Sequence, residues 1–272
     1  MKDLYELKTN NDGPCFFDTH AHYTDSAFDE DRDEMIARCR DAGMIGAVNC
    51  GTDYESSLEC VRLAEKYDFL YAAAGIHPEE ALKYSPEEMD KIRALLSHPK
   101  VAAVGETGLD YFYQDGAPRE VQKDNFIANI KLALAYGKPV IVHDREAHAD
   151  TMDILKQENV PEGKAVFHCY SGSAEMAKEI VKRGWLISFG GALTFKNAKR
   201  AAEAAAAVPL ELLMLETDCP YMAPEPFRGT RNVSANIPYV ARKLAEIKDV
   251  GMSEVMSVTT ANAFRFFGIE KT

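Results

Sequence analysis

Short apolar runs punctuate the chain, and segments with helical periodicity separate them. The runs fall at 15–17, 45–48, 70–74, 101–104, 139–142, 165–167, 185–189 and 212–215. Each has the length of a buried parallel strand that is apolar on both faces. The intervening segments pattern as amphipathic helices. The segment 31–42 brings Met35, Ile36 and Cys39 to one side, and 56–66 does the same with Leu58, Val61, Leu63 and Ala64. Ser85-Pro86-Glu87-Glu88 reads as a helix start, with Ser as N-cap, Pro in the first helical position and acids in the first turn. Helices are also expected at 120–136, 150–158, 173–183, 198–207 and from Ser253 to about Gly268.

Eight strand–helix alternations predict a parallel sheet with right-handed crossovers. An open doubly wound sheet would carry a Gly-rich loop after its first strand. Here that strand ends instead in Asp18-Thr19-His20-Ala21-His22. The expected fold is therefore α/β, a single (β/α)₈ barrel over 13–272, preceded by a polar tail at 1–12. The length of 272 residues fits one barrel, which takes about 250.

Polar residues at the strand ends carry the chemistry. In a strand, positions i, i+2 and i+4 share a face, so Asp18, His20 and His22 are expected to project together. The fourth run leads to Glu106, the fifth to His143, the sixth to His168, and the eighth to Glu216 and Asp218. The carboxyl ends of barrel strands meet at one mouth, where catalytic residues collect. Mixed imidazole and carboxylate donors suit Zn²⁺ or Mn²⁺, and Mg²⁺ when waters complete the shell. The six cysteines include no C-x-x-C pair, which argues against a structural zinc and for buried, reduced thiols. So many ligands exceed one four-coordinate ion; two divalent cations about 3.5–4 Å apart, bridged by a carboxylate, would use them.

Net charge narrows the range of partners. A formal charge of −12 excludes a broad basic face gripping nucleic acid, but not an enzyme with few, local phosphate contacts. Residues 1–13 lack an apolar signal-peptide core, and no apolar run approaches the ~18 residues of a membrane span. A cytoplasmic protein with no membrane contact and no obligate protein partner is expected.

The ordered motifs resemble the TatD-family metal-dependent deoxyribonucleases, a branch of the metal-dependent hydrolase superfamily. They comprise Asp18 to His22, Gly75-Ile76-His77-Pro78, Gly105-Glu106-Thr107-Gly108-Leu109-Asp110-Tyr111, and the stretch around His143-Asp144-Arg145. Phe167-His168-Cys169-Tyr170, Leu215-Glu216-Thr217-Asp218-Cys219-Pro220, Arg228-Gly229-Thr230-Arg231-Asn232 and Phe266-Phe267-Gly268 complete them. The resemblance implies that His20, His22 and Asp218 hold one cation, that His143 and His168 hold the other, and that Glu106 bridges. It implies Asp18 as a residue orienting a histidine through its free ring nitrogen, with direct ligation or a strand-end hydrogen bond as alternatives. Glu216 is expected to hold a third cation or an ordered water. His77, Arg145, Arg228 and Arg231 are expected at the substrate phosphate, while His98 and His148 read as structural. The segment 231–240 departs from the family pattern and reads as a longer, less charged loop near the mouth.

The implied activity is phosphodiester hydrolysis by a metal-activated water, with Asp218 taking or relaying its proton and Glu106 fixing the ion spacing. The expected substrate is nucleic acid, in particular 3′ ends of single-stranded DNA. The alternative on the same site is a D-aminoacyl-tRNA deacylase or another ester or amide hydrolase. A metal-binding scaffold without turnover is a third reading, and the carboxylate of Asp218 beside an expected water speaks against it.

Overall fold

A computed structural model describes residues 15–113 and 115–270. The expected polar tail at 1–12 lies outside the described residues. Eight parallel strands, β1 (Phe16–Ala21), β2 (Met44–Cys50), β3 (Leu70–Ala74), β4 (Val101–Asp110), β5 (Val140–Arg145), β6 (Ala165–Phe167), β7 (Leu186–Phe189) and β8 (Leu213–Leu215), pair in chain order. The helices are α1 (Arg32–Asp41), α2 (Tyr54–Lys66), α3 (Pro86–Leu95), α4 (Arg119–Ala135), α5 (His148–Gln157), α6 (Ala174–Lys182), α7 (Lys199–Ala207), α8 (Ile237–Lys248) and α9 (Met252–Phe267). The chain is a single-domain (β/α)₈ barrel, as the alternation predicts.

Polar and backbone groups join β1 to β8 and to the loop that follows it. Asp218 donates its backbone N–H to the His20 carbonyl at 2.9 Å, and His22 donates to the Cys219 carbonyl at 2.8 Å. The Thr19 hydroxyl donates to the Leu215 carbonyl at 3.0 Å. This seam sets His20 and His22 beside Asp218, about 200 residues away in sequence.

The core has two parts. Between barrel and helices lies a continuous apolar layer that includes Ile36, Met44, Ile92, Phe126, Phe167 and Trp185. Inside the barrel, Phe17, Val48, Ala73, Ala103, Ile141, Val166 and Met214 pack together with Phe264, Phe266 and Phe267 of α9. Phe17 meets Phe264 edge-on at 5.3 Å and lies near-parallel to Phe267 at 5.9 Å. The amino-terminal end of the barrel is thus closed by rings, and polar side chains collect at the other end.

Three details depart from the sequence expectation. First, β4 does not stop at Val104 but continues to Asp110, entirely buried, with Gly108 opposite His143 and Asp110 opposite Arg145. Gly105 (φ +144°) and Gly108 (φ +146°) allow this. A Cβ at Gly108 would fall 2.0 Å from the His143 carbonyl oxygen, so only glycine fits against β5 there. Second, the register between β1 and β2 slips between Asp18 and Ala21, which breaks the two-residue alternation assumed for Asp18, His20 and His22. Third, 237–248 is a helix, so Tyr239 and Val240 do not belong to a mouth loop. Pro238 in its first turn suits a helix start, and Ile237, Val240, Ala241, Leu244 and Ala245 form its buried stripe.

Candidate metal centre

The side chains at the mouth converge on Glu106, which is itself buried in the middle of β4. Its Oε2 lies 3.1 Å from His20 Nε2 and 3.6 Å from His22 Nε2. Those two nitrogens are 3.0 Å apart and stand 3.8 and 3.4 Å from Asp218 Oδ1. The other oxygen, Oε1, lies 2.7 Å from both His143 Nδ1 and His168 Nε2, which are 3.4 Å from each other. One carboxylate therefore offers a different oxygen to each of two donor groups. Donor spacings within the groups range from 2.7 to 3.8 Å. Four donors held at 2.0–2.1 Å around one tetrahedral ion would stand about 3.3 Å apart, so the spacing fits a divalent cation.

The far sides of the rings show which nitrogen is free to ligate. His22 gives Nδ1–H to the Cys50 carbonyl at 3.0 Å, leaving the Nε2 lone pair directed at Asp218 and Glu106. His143 gives Nε2–H to Asp110 Oδ2 at 3.0 Å, leaving Nδ1 for Glu106. His20 turns Nδ1 to the Cys50 thiol at 3.5 Å, and His168 turns Nδ1 to Glu216 Oε1, also at 3.5 Å. A neutral imidazole has one donor and one acceptor nitrogen, and the outer partner selects between them. The lone pairs of His22 Nε2 and His143 Nδ1 thus confront carboxylate oxygens at close range, an arrangement that repels itself unless cations or protons lie between. His77 has the reverse polarity. Its Nδ1 accepts from the Glu79 backbone N–H at 3.2 Å, so in the neutral ring Nε2, 3.3 Å from Glu106 Oε1, carries the proton.

The electrostatics follow from this crowding. Burial raises the Glu106 carboxyl, but the charges of His168, His77 and His20 and the His143 hydrogen bond outweigh it and hold it well below the usual range. Burial also raises Asp218, and its hydrogen bond with His22 and the nearby His20 and His168 overcome that, leaving it lowered. Both carboxylates are therefore kept ionised and ready to ligate. Burial, with the repulsion of His168, lowers the His20 imidazole.

The groups that could hold a metal are His20 with His22 and Glu106, His20 with His168 and Asp218, and His77 with Glu106 and His143. All six expected ligands therefore meet at one place. Asp218 gets there through a left-handed backbone turn, φ +56°, of the kind found where function sets the conformation.

Other expected residues are placed differently. Asp18 touches no imidazole nitrogen. Its carboxylate accepts from Thr217 N at 2.9 Å, Thr217 Oγ1 at 2.5 Å and Ser234 Oγ at 2.5 Å, binding β1 to the segment after β8. The slipped register turns it aside, and the strand-end hydrogen bond is the alternative realised. Glu216 is buried behind His168, accepting the Cys169 backbone N–H at 2.6 Å, and does not line the cleft. His77 and Arg145 line the cleft, which holds about 660 Å³; Arg228 and Arg231 do not. Arg231 grips Asp31 with two nitrogens at 2.8 and 2.6 Å and lies over Phe28, while Arg228 lies over Phe195.

Asp110 has a role the sequence analysis did not assign. Besides accepting from His143, it accepts from Phe112 N at 2.9 Å, and its own N–H and carbonyl are both bound by buried Gln122 of α4. Its place four residues after Glu106 was the available signal, visible only once β4 is known to continue.

Comparison with known proteins agrees with this geometry. The family model described as TatD related DNase matches residues 17–268. A Bacillus subtilis protein named uncharacterized metal-dependent hydrolase YabD is 42% identical over 253 residues, covering 93% of this chain and 99% of the relative. A Cronobacter turicensis protein named 3′-5′ ssDNA/RNA exonuclease TatD is 34% identical over 260 residues, covering 92% of this chain and 97% of the relative. The crystal structure of the TatD homolog YJJV from Escherichia coli superposes with a TM-score of 0.88 at 33% identity, covering 94% of this chain and 98% of that one. With the family model spanning nearly the whole described barrel and its donor cluster, the chain belongs to the TatD related DNase family and is a metal-dependent hydrolase.

Proposed function

We propose that this protein is a phosphodiesterase that removes nucleotides from 3′ ends of single-stranded DNA, using a pair of divalent cations (Mg²⁺, Mn²⁺ or Zn²⁺). The observation that carries the reading is Glu106, whose two oxygens serve two separate donor groups. His20, His22 and Asp218 would hold one cation, His143 and His168 the other. The Cronobacter relative, a 3′-5′ ssDNA/RNA exonuclease by name, supports a single-stranded nucleic acid as substrate. Bound there, the cations would offset phosphate charge and lower the pKa of an attacking water toward about 7.

The remaining steps belong to the chain itself. Asp218, held ionised at the cleft wall, accepts the proton of that water and is placed by its backbone bond to His20. His77 lines the cleft, and its Nε2–H, beside Glu106 Oε1, would turn to a non-bridging phosphate oxygen. Arg145, its guanidinium 3.9 Å above the Phe112 ring, lines the cleft from β5 and would offset the charge of the scissile phosphate as its bond to the 3′-oxygen of the shortened strand breaks. Asp110 and the Cys50 carbonyl fix the rings of His143 and His22, so the donors need not reorganise when the phosphate arrives.

The direct test is release of mononucleotides from 3′-labelled single-stranded DNA, with chelator and with each cation restored in turn. Cleavage that needs a divalent ion and proceeds from the 3′ end is expected. Turnover of D-aminoacyl-tRNA in a parallel assay, with DNA left intact under every cation, would replace this reading with the acyl-ester one.

A further inference from the structure

We infer that the cleft holds its substrate by base faces rather than by backbone charge, clamping two nucleobases between Tyr113 and Tyr221 on opposite rims. The inference rests on the phosphodiesterase reading and names how that substrate is recognised. Tyr113 lies in the loop after β4 and Tyr221 in the loop after β8. In a ring of eight strands these stand opposite each other, and both residues line the cleft.

Both rings are large, exposed and held in place, though nothing in the barrel's packing needs them outside. Tyr113 is 46% and Tyr221 54% exposed. The Tyr221 hydroxyl donates to Asp25 at 2.7 Å, and its ring stands 6.3 Å from that of His22. The Tyr113 hydroxyl accepts from Arg145 at 3.4 Å, and its ring meets Phe112 edge-on at 5.2 Å. Each tyrosine is anchored by its polar end and keeps a ring in the cleft, so little rotamer freedom remains to be lost on binding.

Charge excludes the usual alternative. Arg145 is the one Arg or Lys among the described residues lining the cleft, whereas Asp25, Glu79 and Glu80 line it with carboxylates. Phosphates flanking the reacting one would face like charge, so they contribute little affinity. Every base offers a π face, and stacking on an aromatic ring is sequence-tolerant. A base inside a duplex has both faces covered, so such a clamp selects unpaired ends.

The test uses the full-length protein and short single-stranded oligonucleotides. In one, the two bases flanking the terminal linkage are removed; in another, every linkage except the terminal one is a neutral methylphosphonate. Removing both bases is expected to raise KM about a hundredfold, about tenfold for each lost stack. Neutralising the backbone is expected to move KM less than threefold. Tyr113→Leu and Tyr221→Leu should each raise KM about tenfold on the normal strand, with kcat changing less than twofold. They should match the wild type on the base-free strand, and Tyr→Phe at either position, which keeps the ring but frees its polar end, should recover most of the KM. A readout without turnover accompanies these: with chelator present, a 3′-terminal 2-aminopurine should be quenched on binding, and less so in each leucine variant. KM that follows the backbone charge and ignores the bases overturns the clamp even if DNA is cleaved. Retained quenching in the leucine variants does so even if it is not. Failure of cleavage with tyrosine-dependent quenching intact counts against the phosphodiesterase reading alone.

Discussion

The two ends of the barrel are built from the same strands and obey opposite rules. At the amino-terminal end Phe17 packs among Phe264, Phe267 and Tyr71, and its neighbours are apolar. Three residues further along β1, His20 sits with its ring 4.0 Å from that of His168, beside Glu106. The first end gains free energy from burial; the second spends some of it, holding imidazoles and carboxylates together out of water. Substitutions at the ring-filled end should therefore change stability and spare chemistry, and those at the mouth should do the reverse.

The sharpest way to break the comparison is Asp218→Asn. It should lower kcat on single-stranded DNA by about 10²–10⁴-fold, the range for losing a general base, while the thermal midpoint of the metal-free protein stays within a few degrees. Equal loss of folding and activity would show that the mouth is also structural. Next in size is Phe17→Ala, expected to cost about 3–5 kcal/mol in denaturant unfolding. In that variant the rise in thermal midpoint on adding Mn²⁺ should survive, since ligand linkage depends only on the site. Asp110→Asn should weaken cation affinity about 10–100-fold by titration calorimetry, with little effect on stability, because it releases the His143 ring without removing a ligand.

The smallest effect is expected at Arg231→Ala, about 1 kcal/mol or less of stability, with KM for DNA within twofold. This contribution depends on pH. The hydrogen bonds from Arg231 hold the Asp31 carboxyl below its ordinary 3.8. A depressed carboxyl stabilises the fold above the unfolded value and loses that as pH falls through the folded one. Wild type and variant should thus differ above about pH 4 and converge in stronger acid. A large KM change in this variant would return Arg231 to the phosphate.

Much of this division was legible in the sequence, and the exceptions have physical causes. Strand positions and the convergence of the six expected ligand residues are legible because buried parallel strands are apolar throughout, so an embedded Glu or His stands out. Asp18 departs from its expected place because a strict two-residue period assumes an unbroken register, and β1 slips within its own motif. Asp110 stayed hidden because Gly105 and Gly108 imitate a strand end, although they are what lets β4 lie against β5. The helix at Ile237–Lys248 is hidden because its start lacks a side-chain cap and the polar approach 231–236 runs straight into it, so 231–240 reads as one loop. Arg228 and Arg231 carry the charge a phosphate needs, but charge says nothing about direction, and Phe195 and Asp31 already occupy them.

The seam between β1 and the segment after β8 has a temporal side. His20 and His22 leave the ribosome early, yet the turn that presents Asp218, and the Thr217 groups that grip Asp18, are made 199 positions after Asp18. A nascent chain with seven strands threaded carries Glu106 and the imidazoles of His20, His22, His143 and His168, but lacks Asp218. Translation order thus withholds that carboxylate, and with it the proposed proton transfer, until the segment after the last strand meets β1.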